Sequence, residues 1–136
     1  MKLRVVGGML AALVAVLSNN VVAADMAAQV QNGIPYVSGG IGSDETAAMR
    51  QVRHDYNLYM TFAIKSGEYQ ADVDVTIRGR DGVPVATFKA VGPLFYAKLA
   101  PGQYKVEAMA RGKTQSQTAV LAGSGTHELQ FYWDPQ

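Results

Sequence analysis

The chain has 136 residues, with 12 basic and 11 acidic side chains and no cysteine. The missing cysteine excludes a disulfide scaffold, a thiolate metal site, a cysteine nucleophile and lipidation at a cysteine. The near-balance of charge gives no electrostatic reason to expect nucleic acid or an anionic membrane as partner.

Lys2 and Arg4 precede an uncharged apolar stretch from Val5 to Leu17, then Ser18-Asn19-Asn20 and Val21-Val22-Ala23-Ala24-Asp25. Positive start, apolar middle and small-residue end are the order of a bacterial-type secretory signal. Cleavage is expected after Ala24, with Ala28 the alternative. The apolar run is shorter than the ~20 residues a spanning helix needs, so no stable membrane insertion is expected after cleavage. The expected organisation is a signal peptide over 1–24, a flexible lead-in over 25–33 and a β-sandwich domain over 34–136, in the periplasm or secreted. The leader takes Lys2 and Arg4 with it, leaving 112 residues with 10 basic and 11 acidic side chains. That is enough chain for one core.

Ile34-Pro35-Tyr36-Val37-Ser38 reads as a short edge strand, where proline is tolerated, and Gly39-Gly40-Ile41-Gly42 breaks it. Ser43 is suited to cap a helix, and Asp44 and Glu45 suit its first turn. Ala48, Met49, Val52 and Tyr56 then share one side at helical spacing, with Arg50, Arg53 and His54 on the other. This predicts one short amphipathic helix laid over a sheet and ending near Tyr56-Asn57.

From Leu58 the period becomes two. Leu58, Met60, Phe62 and Ile64 alternate with Tyr59, Thr61 and Ala63, and Val73, Val75 and Ile77 alternate with charged or hydroxylated neighbours. Asp81-Gly82 suits a turn with positive φ, and Val83 to Ala90 is the return strand. Val91-Gly92-Pro93 interrupts before Leu94 to Leu99. Ala100-Pro101-Gly102 turns the chain into Tyr104 to Ala110. Arg111-Gly112-Lys113 leads to Thr114–Leu121, and Leu129, Phe131 and Trp133 share a face of the last strand. The expected fold is all-β: about seven strands in an antiparallel sandwich with one short N-terminal helix.

The strand Val73-Asp74-Val75-Thr76-Ile77, the turn Asp81-Gly82 and the run Leu99-Ala100-Pro101-Gly102-Gln103-Tyr104-Lys105-Val106 together resemble the carboxypeptidase regulatory-like domains. The resemblance covers Ala71 to Leu121, about half of the processed chain. Tyr36-Val37-Ser38-Gly39-Gly40 and Tyr56-Asn57-Leu58 look like the flanking blocks of small exported bacterial proteins of the same group. It implies a transthyretin-like (prealbumin-like) sandwich with Greek-key connections, serving as a non-catalytic binding or accessory module. A transthyretin-like branch that hydrolyses 5-hydroxyisourate ends in Tyr-Arg-Gly-Ser, whereas this sequence closes on Tyr132-Trp133-Asp134-Pro135-Gln136.

No pattern of catalytic or metal-binding chemistry stands out, and no cofactor is expected. His54 and His127 lack a ligand spacing, Asp72 and Asp74 fall on the solvent side of their strand, and the methionines are scattered. The Gly39–Gly42 loop has acidic residues where a phosphate site needs the opposite charge. Aromatic side chains are the remaining candidates, because exposed rings stack on sugars and contact peptides. The candidate ligand-binding residues are therefore Tyr56, Tyr59, Tyr69, Tyr96 and Tyr132. The expected function is an exported, non-enzymatic interaction module for a peptide, a glycan or an envelope protein. The alternatives are a small hydrolase or metal-binding periplasmic protein with a site built from distant residues, and an envelope structural protein acting through a sheet edge.

Overall fold

β-Branched and aromatic residues alternate with polar ones through most of the chain, and in the computed structural model this pattern becomes two facing sheets. The structure describes residues 28–135; the segment 1–24 expected as a signal peptide lies outside them. Among the described residues there are nine strands rather than about seven: β1 (Gln29–Gln31), β2 (Ile34–Gly39), β3 (Leu58–Ile64), β4 (Val73–Gly79), β5 (Pro84–Val91), β6 (Leu94–Ala97), β7 (Gly102–Ala110), β8 (Lys113–Leu121) and β9 (His127–Trp133). Helix α1 (Gly42–Val52) and a 3-10 turn (Arg53–Asp55) lie between β2 and β3.

One sheet has the order β1-β2-β6-β3-β9 and the other β5-β4-β7-β8. The pairings are antiparallel except β3 with β9, which run parallel from Leu58 opposite His127 to Ile64 opposite Trp133. A parallel pair needs a long crossover, and here the whole second sheet lies between the two partners in sequence. The expectation of a purely antiparallel sandwich is corrected at this pair.

Strand β1 lies in the segment expected as a lead-in. All three of its residues are exposed, so it carries no apolar signal of its own. It is held by a two-residue turn in which Asn32 (φ 50°) and Gly33 (φ 78°) both take the left-handed region, the geometry that hairpin twist favours. Pro35 is consequently one strand in from the edge, and its carbonyl accepts the Lys98 amide.

The main core fills the space between the sheets with the residues that the two-residue period places there. Leu58, Met60, Phe62 and Ile64 meet Val73, Val75, Ile77, Val106 and Ala108, with Leu129, Phe131 and Trp133 alongside. Phe62 lies 5.7 Å from Phe131 between ring centroids and 6.1 Å from Trp133, so the parallel pair is locked by aromatic packing. At the Pro101-Gly102 turn the Tyr104 hydroxyl donates to the Ala100 carbonyl at 2.7 Å, pinning the corner.

The sheets are joined along both seams by side-chain amides. Gln31 donates to the Thr87 carbonyl and Asn32 to the Val85 carbonyl on the free edge of β5, each at 3.1 Å. On the other side Gln117 donates to the Gln130 carbonyl, Gln115 to the Tyr132 carbonyl and the Trp133 indole to the Lys113 carbonyl. These bonds answer backbone groups that an edge strand otherwise leaves open.

Helix α1 packs on the outer face of the five-stranded sheet and creates a second core. Met49 and the half-buried Val52 cover Val37, Leu94, Tyr96, Tyr59 and Tyr56. The helix start departs from expectation. Ser43 makes no cap bond; Ile41 occupies the cap position, and its amide donates to Glu45 Oε1 at 3.1 Å. The glycine loop ahead of it is held close to the sheet, since a Cβ on Gly40 would lie 2.9 Å from Leu94 Cγ.

Candidate functional site

The registers lay out the outer face of the five-stranded sheet as three rows. Tyr96, Tyr59 and Glu128 form the first, Leu94, Thr61 and Gln130 the second, and Tyr69, Ala63 and Tyr132 the third. Directly paired residues project to the same face of a sheet. Helix α1 covers the β2–β6 side of this grid, leaving Glu128, Gln130 and Tyr132 exposed on the β9 side. Thr46, Arg50 and Arg53 are spaced at i, i+4 and i+7 along the edge of α1 and its 3-10 extension. They form the wall of a notch of about 130 Å³ whose other sides are Thr61, Tyr69 and Tyr96.

Arg53 has a partner on each of two sides. Its Cζ lies 4.3 Å over the centroid of the Tyr59 ring, and its Nη2 is 3.1 Å from Glu128 Oε2. The Tyr59 hydroxyl donates to the carbonyls of Arg53 and Tyr56, tying the 3-10 turn to β3. Arg50 is exposed and makes no ion pair among the described residues. Tyr96 is only 5% exposed, packed edge-on against Tyr59 with centroids 5.0 Å apart. Among the described residues nothing hydrogen-bonds its hydroxyl. Burial raises the Tyr96 phenol above its ordinary range, while the Arg53 and Arg50 charges pull the other way. The hydroxyl therefore stays protonated and is available as a donor beside two guanidinium groups.

No family model matches this chain, and neither does any curated protein sequence.

The five tyrosines expected to carry binding do not form one exposed patch. Tyr56, Tyr59 and Tyr96 belong to the second core, whereas Tyr69 (50% exposed) and Tyr132 (44% exposed) stand on either side of buried Ala63. Period-two alternation places Tyr59 opposite Met60, away from the main core, and α1 then covers the face it points to. What sequence reasoning assigned to the solvent side, Arg50 and Arg53, is the wall of the notch. The signal for it was present in the helical spacing of Thr46, Arg50 and Arg53, one strip round from the apolar side.

The other candidate groups have structural partners. Asp74 Oδ1 accepts the Ala90 amide at 2.9 Å, and its Oδ2 lies 3.6 Å from Lys89 Nζ. It thereby supports the β4–β5 irregularity where Ala90 takes φ 52°. His54 lies 3.4 Å from Asp55 on the 3-10 turn, and among the described residues no three of His, Asp and Glu gather as a metal would need. A larger cleft of about 470 Å³ opens between the β1–β2 hairpin and β5, lined by Gln29, Gln31, Ser38, Thr87 and Lys89. Part of its polar lining holds the seam: Gln31 on the Thr87 carbonyl, the Tyr36 hydroxyl on Gln29, and the Gly92 amide on Ser38 Oγ. The notch beside α1 combines an exposed guanidinium, Arg50, with a tyrosine hydroxyl that has no partner among the described residues.

Proposed function

We propose that the mature chain, cut after Ala24, is an exported, non-enzymatic recognition module that binds a peptide segment along the uncovered outer face beside α1. One observation carries the reading: Arg50, with no ion pair among the described residues, and Tyr96, whose hydroxyl has no hydrogen bond among them, both line a notch flanked by exposed Tyr69. Arginine and tyrosine are the residues that concentrate binding energy in protein interfaces. A two-sheet all-β body with a covering helix is in keeping with the transthyretin-like sandwich that Ala71 to Leu121 resembles, and such a body is a rigid platform for a surface site.

The lining favours peptide over carbohydrate. The notch of about 130 Å³ is lined by a guanidinium and a phenol, which suit a charged peptide side chain better than a neutral sugar. Action through a sheet edge is disfavoured by the amide side chains of Gln31, Asn32, Gln115 and Gln117, which occupy edge carbonyls of β5 and β9.

The test is to probe residues 25–136 against immobilised dodecapeptide and glycan arrays, then to map the best peptide by amide chemical shifts. Binding of peptides with shifts at Thr61, Tyr69 and Glu128 is the expected result. Glycan binding alone, or shifts confined to Thr87 and Lys89, overturns the proposal.

A further inference from the structure

The chemistry of the notch goes further than its shape and, resting on the reading of this face as a peptide-binding surface, specifies the side chain it takes. We infer that the notch is a carboxylate socket, in which Arg50 and the Tyr96 hydroxyl receive the acidic side chain of a bound peptide while Glu128 holds Arg53 in reserve.

Four observations converge. Arg50 brings a full positive charge with no acidic partner among the described residues. Tyr96, a residue only 5% exposed, brings a hydroxyl with no hydrogen bond among the described residues. A carboxylate in the notch would give that hydroxyl a charged acceptor, which makes a stronger bond than a neutral one. Thr61, half-buried in the floor of the notch on the middle row of the sheet, supplies a second hydroxyl. The space matches a carboxylate carried on one or two methylenes, four or five heavy atoms in a volume of about 130 Å³.

Arg53 and Glu128 give the socket a built-in competitor. Their side chains are about half exposed (45% and 49%), so the pair is held loosely by a single 3.1 Å contact and by the Tyr59 ring under Arg53. A surface pair of this kind contributes little to stability and can exchange. The arriving carboxylate takes the place that Glu128 holds on Arg53, so that two guanidinium groups and a phenol surround it. Glu128 carries a charge of the same sign as the ligand and therefore lowers its affinity. Neutral side chains bind more weakly because they form no charge-assisted bond with Arg50.

The experiment uses residues 25–136 and three probes: the capped pentapeptide Gly-Ser-Glu-Ser-Gly, its Gln counterpart, and sodium acetate at equal concentration. Binding is followed by amide chemical-shift titration at two salt concentrations. The Glu peptide is expected to bind at least about tenfold more tightly than the Gln peptide, with affinity falling as salt rises. Arg50→Gln and Tyr96→Phe each reduce that preference severalfold, and Glu128→Gln increases affinity for the Glu peptide. Arg50 is exposed and the Tyr96 hydroxyl bonds nothing among the described residues, so neither variant is expected to disturb the fold; unchanged dispersion of the amide spectrum verifies it. Equal binding of Glu and Gln peptides on this face overturns the socket and leaves the peptide-binding proposal standing. Binding of acetate as tight as the Glu peptide overturns a peptide side chain as the occupant. No binding of any probe to this face by the wild type or Glu128→Gln overturns both.

Discussion

Replacing Met49 with alanine separates the two cores. Met49 is fully buried, and with the half-buried Val52 it supplies the apolar contact of α1 with the sheet. An eleven-residue helix is too short to persist in water without such contact. Truncating a buried methionine to alanine costs about 2–5 kcal/mol, against a total of about 5–15 kcal/mol for a domain of this size. The sandwich keeps its own core of Leu58, Phe62, Val75, Val106 and Phe131, none of which belongs to the helix cluster. The loss therefore falls first on the docking of α1. Amide hydrogen exchange reads this directly: amides of Arg50 to Val52 are expected to exchange roughly 30- to 5,000-fold faster, the same energy expressed as a ratio. Amides of Val75 and Val106 are expected to change far less. Equal acceleration in helix and sandwich would show one cooperative unit and refute the division into two cores.

Three further outcomes follow from other contacts. Gly92→Ala places a Cβ 2.7 Å from the Gly39 carbonyl oxygen, and the backbone clash is expected to lower stability by about 1–3 kcal/mol; an unchanged urea midpoint by Trp133 fluorescence contradicts it. The hydrogen bond and charge of Lys65 hold the Asp134 carboxyl below its ordinary range. A group lowered on folding stabilises above its unfolded pKa and loses that contribution as pH falls through the folded value, so Lys65→Met raises the Asp134 titration seen by carboxyl-carbon NMR and narrows its gap from the wild type in acid. The double variant Gln115→Ala/Gln117→Ala strips the side-chain donors from the Tyr132 and Gln130 carbonyls of β9. Sedimentation is expected to show concentration-dependent self-association of that variant, as bare edges invite; a strictly monomeric species argues that the amides do not guard the edge.

How far the fold was legible depends on the range of the interaction that sets each element. Val73, Val75 and Ile77, or Leu129, Phe131 and Trp133, announce an inner face because alternation is a local property. The turns at Gly82 and Gly112 are equally local, and both glycines take positive φ. The β1 hairpin hid because Gln29-Val30-Gln31 has no apolar rhythm, although Asn32-Gly33 is a strong turn signal that a chain-order reading passed over. The parallel partnership of β3 with β9 joins residues distant in sequence, and nothing in either strand names the other. The site was half legible for the same reason. The tyrosines were visible as residues of suitable chemistry, but whether Tyr59 and Tyr96 meet solvent depends on where α1 docks. Arg50 and Arg53 look like ordinary solvated charges until that docking aims one at the notch and the other at Glu128.

The pairing of Leu58 with His127, sixty-nine positions apart, has a consequence for timing. A growing polypeptide that has only reached Leu121 possesses both layers in outline but offers β3 with one flank bare. Closing so wide a loop is slow relative to local hairpins, so the last strand acts as a latch. Maturation should wait for Leu129, Phe131 and Trp133 to arrive, and until then the nascent molecule is the form that a chaperone would grasp.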